Sequence, residues 1–256
     1  MNHYPISVTL ITLNEEKKIS QAIESVKWAS EIIIVDSGST DQTVAIAQSL
    51  GAHVVHHPWP GYGQQKNYAQ RLTTQDWVLN LDADEVVSPE LAQEIQKMLS
   101  TPSEYRGFSF PRKTFFLGRW IRYGGWYPNR LTRLAHRNFS AWSEPHVHEE
   151  FQVRGKIGRL TQPLLHYAFD SIEEQVLTNL RFSKLGSQDL KEAGQKPSRT
   201  LLILKPSWKF IETFFIKRGF LDGLSGFIIS INAAHSMFLK YASLFEMSLR
   251  HENSHH

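Results

Sequence analysis

Glu31-Ile32-Ile33-Ile34-Val35-Asp36 is the stretch that decides the fold. Its four consecutive β-branched apolar residues leave no polar face, so the strand they form is covered on both sides. It closes on a carboxylate. Ser37-Gly38-Ser39-Thr40-Asp41 then forms a loop that opens a helix running through Leu50. The pattern recurs on either side. Upstream, Ile6 to Leu13 reads as a strand that ends at Asn14-Glu15. Asn14 is placed to cap a helix in which Ile19, Ala22, Ile23 and Val26 keep helical spacing. Downstream, Ala52 to Val55 is a third strand, and Trp77 to Leu81 is a fourth that ends in Asp82-Ala83-Asp84. Ser88-Pro89 next pairs a cap with proline at the first helical position. This alternation predicts an α/β fold, with a mostly parallel sheet and helices on both faces. Ligands of such sheets bind beyond the carboxyl ends of the strands. Acidic residues follow three of those ends here.

Past residue 105 the periodicity breaks into glycines, aromatics and arginines, with short strands expected at Phe108–Pro111, Arg130–Ala135 and Leu164–Tyr167. Ser171-Ile172-Glu173-Glu174 is a capping box opening a helix through Ala193. After a break at 194–198 comes a basic, aromatic helical tail. The expected organisation is a domain over 1–168, a helical C-terminal extension over 169–250 and a disordered tail over 251–256.

The 256 residues are 41% hydrophobic and 21% charged, an ordinary foldable composition. The lack of cysteine excludes disulfide frameworks, cysteine–zinc sites and thiol catalysis. No apolar run reaches the length of a spanning helix. A strand-like run begins within five residues of Met1, which leaves no room for a signal peptide. Net charge is only +3, but residues 106–159 hold eleven Lys/Arg against Glu144, Glu149 and Glu150. Residues 196–250 hold eight against Glu212, Asp222 and Glu246. Two basic zones point to an anionic partner.

Asp82 and Asp84 bracket one residue at a strand end. Hard divalent cations such as Mg²⁺ and Mn²⁺ prefer carboxylate oxygen and commonly take one or two protein carboxylates plus substrate phosphates. The stretches Thr9 to Asn14-Glu15, Ile34 to Asp41, and Leu79-Asn80-Leu81-Asp82-Ala83-Asp84-Glu85 resemble the signature of family 2 glycosyltransferases, as does Lys66-Asn67 after the Gly61 to Gly63 loop. A narrower group, the WaaE/KdtX-like lipopolysaccharide inner-core β-glucosyltransferases, resembles the chain further on. The segments concerned are Phe116-Leu117-Gly118-Arg119-Trp120, Gly125-Trp126-Tyr127-Pro128, Arg130 to Arg133, Val147-His148-Glu149 and Arg218 to Gly223.

The resemblance implies a GT-A fold and an inverting transfer of a hexose, with UDP-glucose as donor and Mn²⁺ or Mg²⁺ as cofactor. The acceptor it implies is a lipid-anchored glycan such as lipopolysaccharide inner core. By the same carry-over Asp36 would hold the nucleobase and Asp82 the ribose side. Thr12, Asn14, Glu15, Ser39, Lys66, Asn67 and Ala83 would complete the nucleotide-sugar site. Asp84 would bind the metal, with His166 completing its coordination. Inversion needs a general base. Between Tyr105 and Phe169 the acids are Glu144, Glu149 and Glu150; Glu149 is the first choice and Glu144 the second. His146 and His148 are further candidates. The acceptor is assigned to Arg119, Arg122, Arg130, Arg133 and Arg137; which Arg contacts the diphosphate is left open, with Arg130 and Arg133 as the candidates.

Leu221, Leu224, Ile228, Ile231, His235, Phe238, Ala242 and Phe245 form an amphipathic helical stripe, and Phe210, Ile211, Phe214 and Phe215 a second one beside Lys205, Lys209, Lys217 and Arg218. Two readings stand: packing on protein, or lying on an anionic membrane surface. The expected location is cytoplasmic, peripheral on the inner face of the cell membrane, with no nucleic-acid partner. The alternatives are a polyprenyl-phosphate-linked acceptor, or a non-catalytic module binding anionic glycan or nucleic acid.

Overall fold

A computed structural model describes residues 3–101, 103–143 and 150–253. The chain divides into two compact units, Met1–Lys113 with Asn129–Ala168, and Thr114–Pro128 with Phe169–His256.

In the first unit, strands β1 (Tyr4–Thr12), β2 (Ala29–Asp36), β3 (His53–His56) and β4 (Trp77–Asp82) alternate with helices α1 (Ile19–Glu24), α2 (Thr43–Ser49) and α3 (Tyr62–Arg71). There follow β5 (Glu85–Val87), α4 (Pro89–Leu99), β6 (Gly107–Phe116), β8 (Asn129–His136), β9 (Ser140–Trp142), β10 (Phe151–Val153), β11 (Ile157–Arg159) and β12 (Leu164–His166); the last residues of β6, from Thr114, and β7 (Arg119–Trp120) fall in the second unit. The main sheet runs β3-β2-β1-β4-β8-β6-β12-β5, with β7 and β11 pairing β6, while β9 and β10 form a separate hairpin. The expected α/β architecture is present. The sheet is parallel over its first four strands and turns antiparallel at β4–β8, β8–β6 and β12–β5.

Ile6, Ser7, Val8, Thr9 and Leu10 are buried in succession, so β1 is covered on both faces. Ile34, Leu79, Leu81, Leu91, Ile95 and Phe110 complete the centre of this core. The buried Thr9 hydroxyl donates to Asn80 Oδ1 at 3.0 Å. As expected, Ser88 caps α4, accepting from the Leu91 N–H at 3.2 Å. Asn14 does not cap α1. That helix starts at Ile19 with Lys18 at the cap position, while Asn14 takes a left-handed φ of 56° and turns its side chain to another loop.

The second unit contains α5 (Ile172–Glu192), α6 (Arg199–Ile211), a π-helical turn (Glu212–Ile216), a 3-10 turn (Gly219–Asp222) and α7 (Gly223–Asn253). Helices α5 and α6 both pack on α7. Phe116, Ile121 and Ile229 form its apolar centre, with Trp126 and Phe169 against them. Asp222 is buried, and its Oδ2 accepts the Arg122 and Tyr123 N–H groups at 3.0 and 2.8 Å. Gly226 is required where it stands, because a Cβ there would lie 1.8 Å from the Gly219 carbonyl oxygen. Helix α7 continues to Asn253, past the point where a disordered tail was expected to begin; residues 254–256 lie outside the described ones.

At the end of β1 away from the strand-end acids, Glu31 accepts from the Ser7 hydroxyl and from the Thr74 N–H at 2.6 Å and its Oγ1 at 3.0 Å. Burial would raise its carboxyl, but these hydrogen bonds hold it below the ordinary 4.5. Replacing Glu31 by Gln should lower stability by about 1–2 kcal/mol, the worth of hydrogen bonds to a charged acceptor. The folded value is the lower one, so the contribution is complete above the unfolded value and fades as pH falls through the folded one. Urea melts of both proteins at pH 7 and pH 3 should show the gap shrinking at the lower pH.

Candidate functional site

The register of β1 builds the site. Thr12 pairs with Asp36 on one side and Ile11 with Asp82 on the other, so the carboxyl ends of three parallel strands lie side by side. The loops leaving β1 and β2 are laced together. Asp36 Oδ2 accepts the Gly38 and Ser39 N–H groups at 2.9 and 3.0 Å, and its Oδ1 accepts from the Ser39 hydroxyl. Gly38 follows that turn at φ 107°, open to glycine. The Asn14 N–H donates to Ser39 Oγ and the Thr40 N–H to Asn14 Oδ1, both at 2.8 Å. The Glu15 N–H donates to Thr43 Oγ1 at 2.7 Å. Thr12, Asn14, Glu15, Asp36 and Ser39 are thus brought together.

Asp82 lies between two cations from different elements. Lys66 of α3 places Nζ 3.1 Å from Oδ1, and Arg133 of β8 donates to Oδ2 at 2.7 Å. Burial would raise the Asp82 carboxyl, but the charges of Arg133, Lys66 and Arg112 hold it well below the usual carboxylate range. The Trp142 ring of β9 lies 4.3 Å from Lys66 Nζ and 5.1 Å from Arg133 Cζ, within cation–π range of both. Trp142 is itself fixed. Its N–H donates to Asn67 Oδ1 at 2.8 Å, its carbonyl accepts from Asn67 Nδ2 at 2.9 Å, and its indole donates to Asn80 Oδ1 at 3.3 Å. Asn67 therefore works as a strand partner for β9, and Asn80 links β4 to the same ring.

Glu85 was not among the residues singled out from sequence. It is fully buried, accepts the Asp82 N–H at 3.0 Å and Arg112 at 3.1 Å, and stands 3.8 Å from Arg133. The signal available was an acid directly before the apolar pair Val86-Val87, which forms a strand only because β12 pairs with it.

Pairing of β5 with β12 also brings His166 to Asp84, with Nε2 to Oδ2 at 3.3 Å; the Tyr167 N–H holds the Asp84 carbonyl at 2.9 Å. Neighbouring donors in an octahedral shell of about 2.1 Å radius stand about 3 Å apart, so the pair fits two positions around one hard divalent cation. Among the described residues no three His, Asp or Glu side chains converge, so the remaining positions would fall to substrate and water. The buried Ala83 separates this pair from Asp82.

The five arginines have separate duties. Arg133 faces Asp82. Arg130 donates to the Ser109 and Leu160 carbonyls at 2.9 and 2.7 Å, and Arg137 to the Thr73 carbonyl at 2.6 Å. In the second unit Arg119 donates to the Asp222 carbonyl at 2.9 Å, while the Arg122 side chain is exposed. Glu144, His146, His148 and Glu149 lie outside the described residues. At their flanks the Ser143 N–H donates to the Glu150 carbonyl at 2.9 Å and the Glu150 N–H to Ser143 Oγ at 2.7 Å.

Residues 7–154 match the family described as Glycosyl transferase family 2. The chain is 38% identical to the uncharacterized glycosyltransferase RC0292 of Rickettsia conorii, over 97% of this chain and 92% of that one. It is 32% identical to the lipopolysaccharide core biosynthesis glycosyltransferase LpsC of Rhizobium meliloti, over 94% and 92%. The crystal structure of a mycobacterial protein superposes with a TM-score of 0.50 at 18% identity, covering 72% of this chain and 74% of that one, a likeness of fold.

Replacing Glu85 by Gln should cost about 3–5 kcal/mol, because it leaves Arg112 and Arg133 buried with less counter-charge. Urea denaturation followed by circular dichroism measures it. A loss below 0.5 kcal/mol, the scale of a surface change, would mean that Glu85 does not hold the two arginines.

Proposed function

The chain belongs to glycosyl transferase family 2, and on that premise we propose that it moves glucose from UDP-glucose, with inversion, onto a lipid-anchored glycan of the lipopolysaccharide-core kind. The observation that carries the reading is the meeting of Asp36, Asp82, Lys66 and Arg133 at adjacent strand ends. Family membership and the relative named for lipopolysaccharide core biosynthesis support the acceptor class.

Asp36 is fixed by three hydrogen bonds and keeps further lone pairs for N–H donors of the nucleobase. Asp82 faces the ribose. Lys66 and Arg133, held by Asp82 and Trp142, exchange part of that pairing for phosphate oxygens; the guanidinium fork suits phosphate. Asp84 and His166 would hold Mn²⁺ or Mg²⁺, which when bound neutralises charge developing on the leaving diphosphate. The acceptor oxygen attacks the anomeric carbon opposite the diphosphate, the bond to diphosphate breaks, and the hydroxyl proton passes to Glu149, or to Glu144 in the alternative assignment. Arg119, Arg122 and Arg130 are the exposed members of the acceptor set. The protein acts as a peripheral one on the inner face of the cell membrane. Among the described residues no helix is long and apolar enough to cross a membrane.

Titrating UDP with and without Mn²⁺ tests the donor site. Binding should strengthen with metal, and Asp84→Asn should remove that dependence while leaving the melting temperature near wild type. Metal-independent binding in the wild type would remove Asp84 and His166 from the site. Transfer by Glu149→Gln should fall by roughly two to four orders of magnitude with UDP binding retained. If Glu144→Gln is the inactive variant instead, the base is Glu144.

A further inference from the structure

The second unit's helical pair leaves much of its apolar surface exposed. On α7 Ser225, Gly226, Ser230 and Asn232 are buried together with Ile229 and Leu244, while Leu224 is 73% exposed and Phe227 and Ile231 are exposed beside it. Helix α6 has no buried residue, and its Ile203, Leu204 and Trp208 are exposed, Ile203 at 67%. The two helices pack together and are tied by rings: Phe210 lies 5.3 Å from Phe214 and 6.0 Å from Phe227, and Phe214 lies 5.7 Å from Phe227. Ile203, Leu204, Trp208, Leu224, Phe227 and Ile231 are thus exposed on two helices that pack on each other. Isolated exposed leucines need no explanation, but a concentration of this kind marks an interaction surface.

Charge identifies the occupant. From Arg199 to Arg218 the chain carries Arg199, Lys205, Lys209, Lys217 and Arg218 against Glu212 alone. Glu212 pairs with Lys209 at 3.0 Å and with Lys217 at 2.5 Å. Arg199, Lys205 and Arg218 lie outside that triplet and are exposed. A second copy of this chain meeting the patch by two-fold symmetry would set these cations against their own counterparts. A polynucleotide would satisfy the cations and leave the leucines and Trp208 in water. An anionic bilayer satisfies both, taking apolar side chains at the acyl boundary and cations at the phosphates, with tryptophan at the level between them.

We infer that the α6–α7 face, with Leu204, Trp208 and Leu224 as its inserting residues and Arg199, Lys205 and Arg218 as its phosphate contacts, is a monotopic docking surface for anionic lipid. This rests on the membrane-facing part of the proposed function and names the surface that performs it. None of the six residues belongs to the donor site, so the surface can be tested apart from chemistry.

The full-length protein is sedimented with vesicles of phosphatidylcholine alone and of phosphatidylcholine with about a third phosphatidylglycerol, and UDP binding is measured on the same samples. Wild type should partition to the anionic vesicles and weaken as salt is raised. Arg199→Gln/Lys205→Gln/Arg218→Gln should lose on the order of 10- to 100-fold in partitioning, following the loss of three surface charges. Leu204→Ser/Trp208→Ser/Leu224→Ser should lose binding even at low salt. Both variants should bind UDP as wild type does. The inference is overturned if wild type, with UDP binding intact, ignores anionic vesicles or binds both kinds equally. It is also overturned if the protein is a dimer that the serine variant splits, since the face would then be a subunit interface. Vesicle binding without UDP binding would leave the surface standing and remove the donor reading.

Discussion

The site depends on one arrangement, an aspartate at the end of β4 held by two cations that reach it from α3 and β8. Neither cation is near Asp82 in sequence. Lys66 is placed by a helix that follows the third strand, and Arg133 by a strand that pairs antiparallel to β4. Each charge is costly to bury alone and tolerable only beside the other. Glu85 and Arg112 extend the same logic one layer deeper. The cluster is therefore a joint between the parallel half of the sheet and the antiparallel half. A ligand anion entering it meets cations that are already desolvated and oriented, so little ordering remains to be done on binding.

The parallel half was legible because its physics is local. A strand such as Ile32 to Val35 has one way to hide four β-branched residues, and the acids that close such strands announce the functional edge. The antiparallel half was less legible. Strands β5, β7, β9, β10 and β11 have two or three residues each, too few to show a period, and they exist because a distant partner completes them. Glu85 and Trp142 were missed for this reason. One is an acid inside a three-residue strand and the other an aromatic whose importance comes from Asn67 and Asn80. The arginines carry structural duties that composition does not show. Their number points to an anion, and the structure adds that Arg130 Nη2 and Arg137 Nη1 donate to backbone carbonyls. Asn14 looked like a helix cap because a cap and a left-handed loop residue share the same chemistry; the Thr40 N–H decides between them.

In the helical unit the apolar stripe of the sequence was real, but its direction was not deducible. A stripe at helical spacing says that one face differs from the other, and ordinary burial would turn it inward. Here small and hydroxyl-bearing residues share the inward places with Ile229 and Leu244 and permit close approach, Gly226 against Gly219 and Ser183 against Ser236. Close packing of α7 on its neighbours by small residues leaves Leu224, Phe227 and Ile231 on the outside.

The paired hydrogen bonds between Asn67 and the backbone of Trp142 have a mechanical consequence. Asn67 follows Lys66 directly on α3, so the residue that clamps the hairpin and the residue that supplies the cation ride on the same turn of helix. A displacement of β9 is passed to Lys66 through two short bonds, and a pull on Lys66 returns along the same path. Whatever seats itself at the hairpin and whatever seats itself at the lysine are thus joined by a stiff link. Any free energy exchanged across that link is the same in both directions.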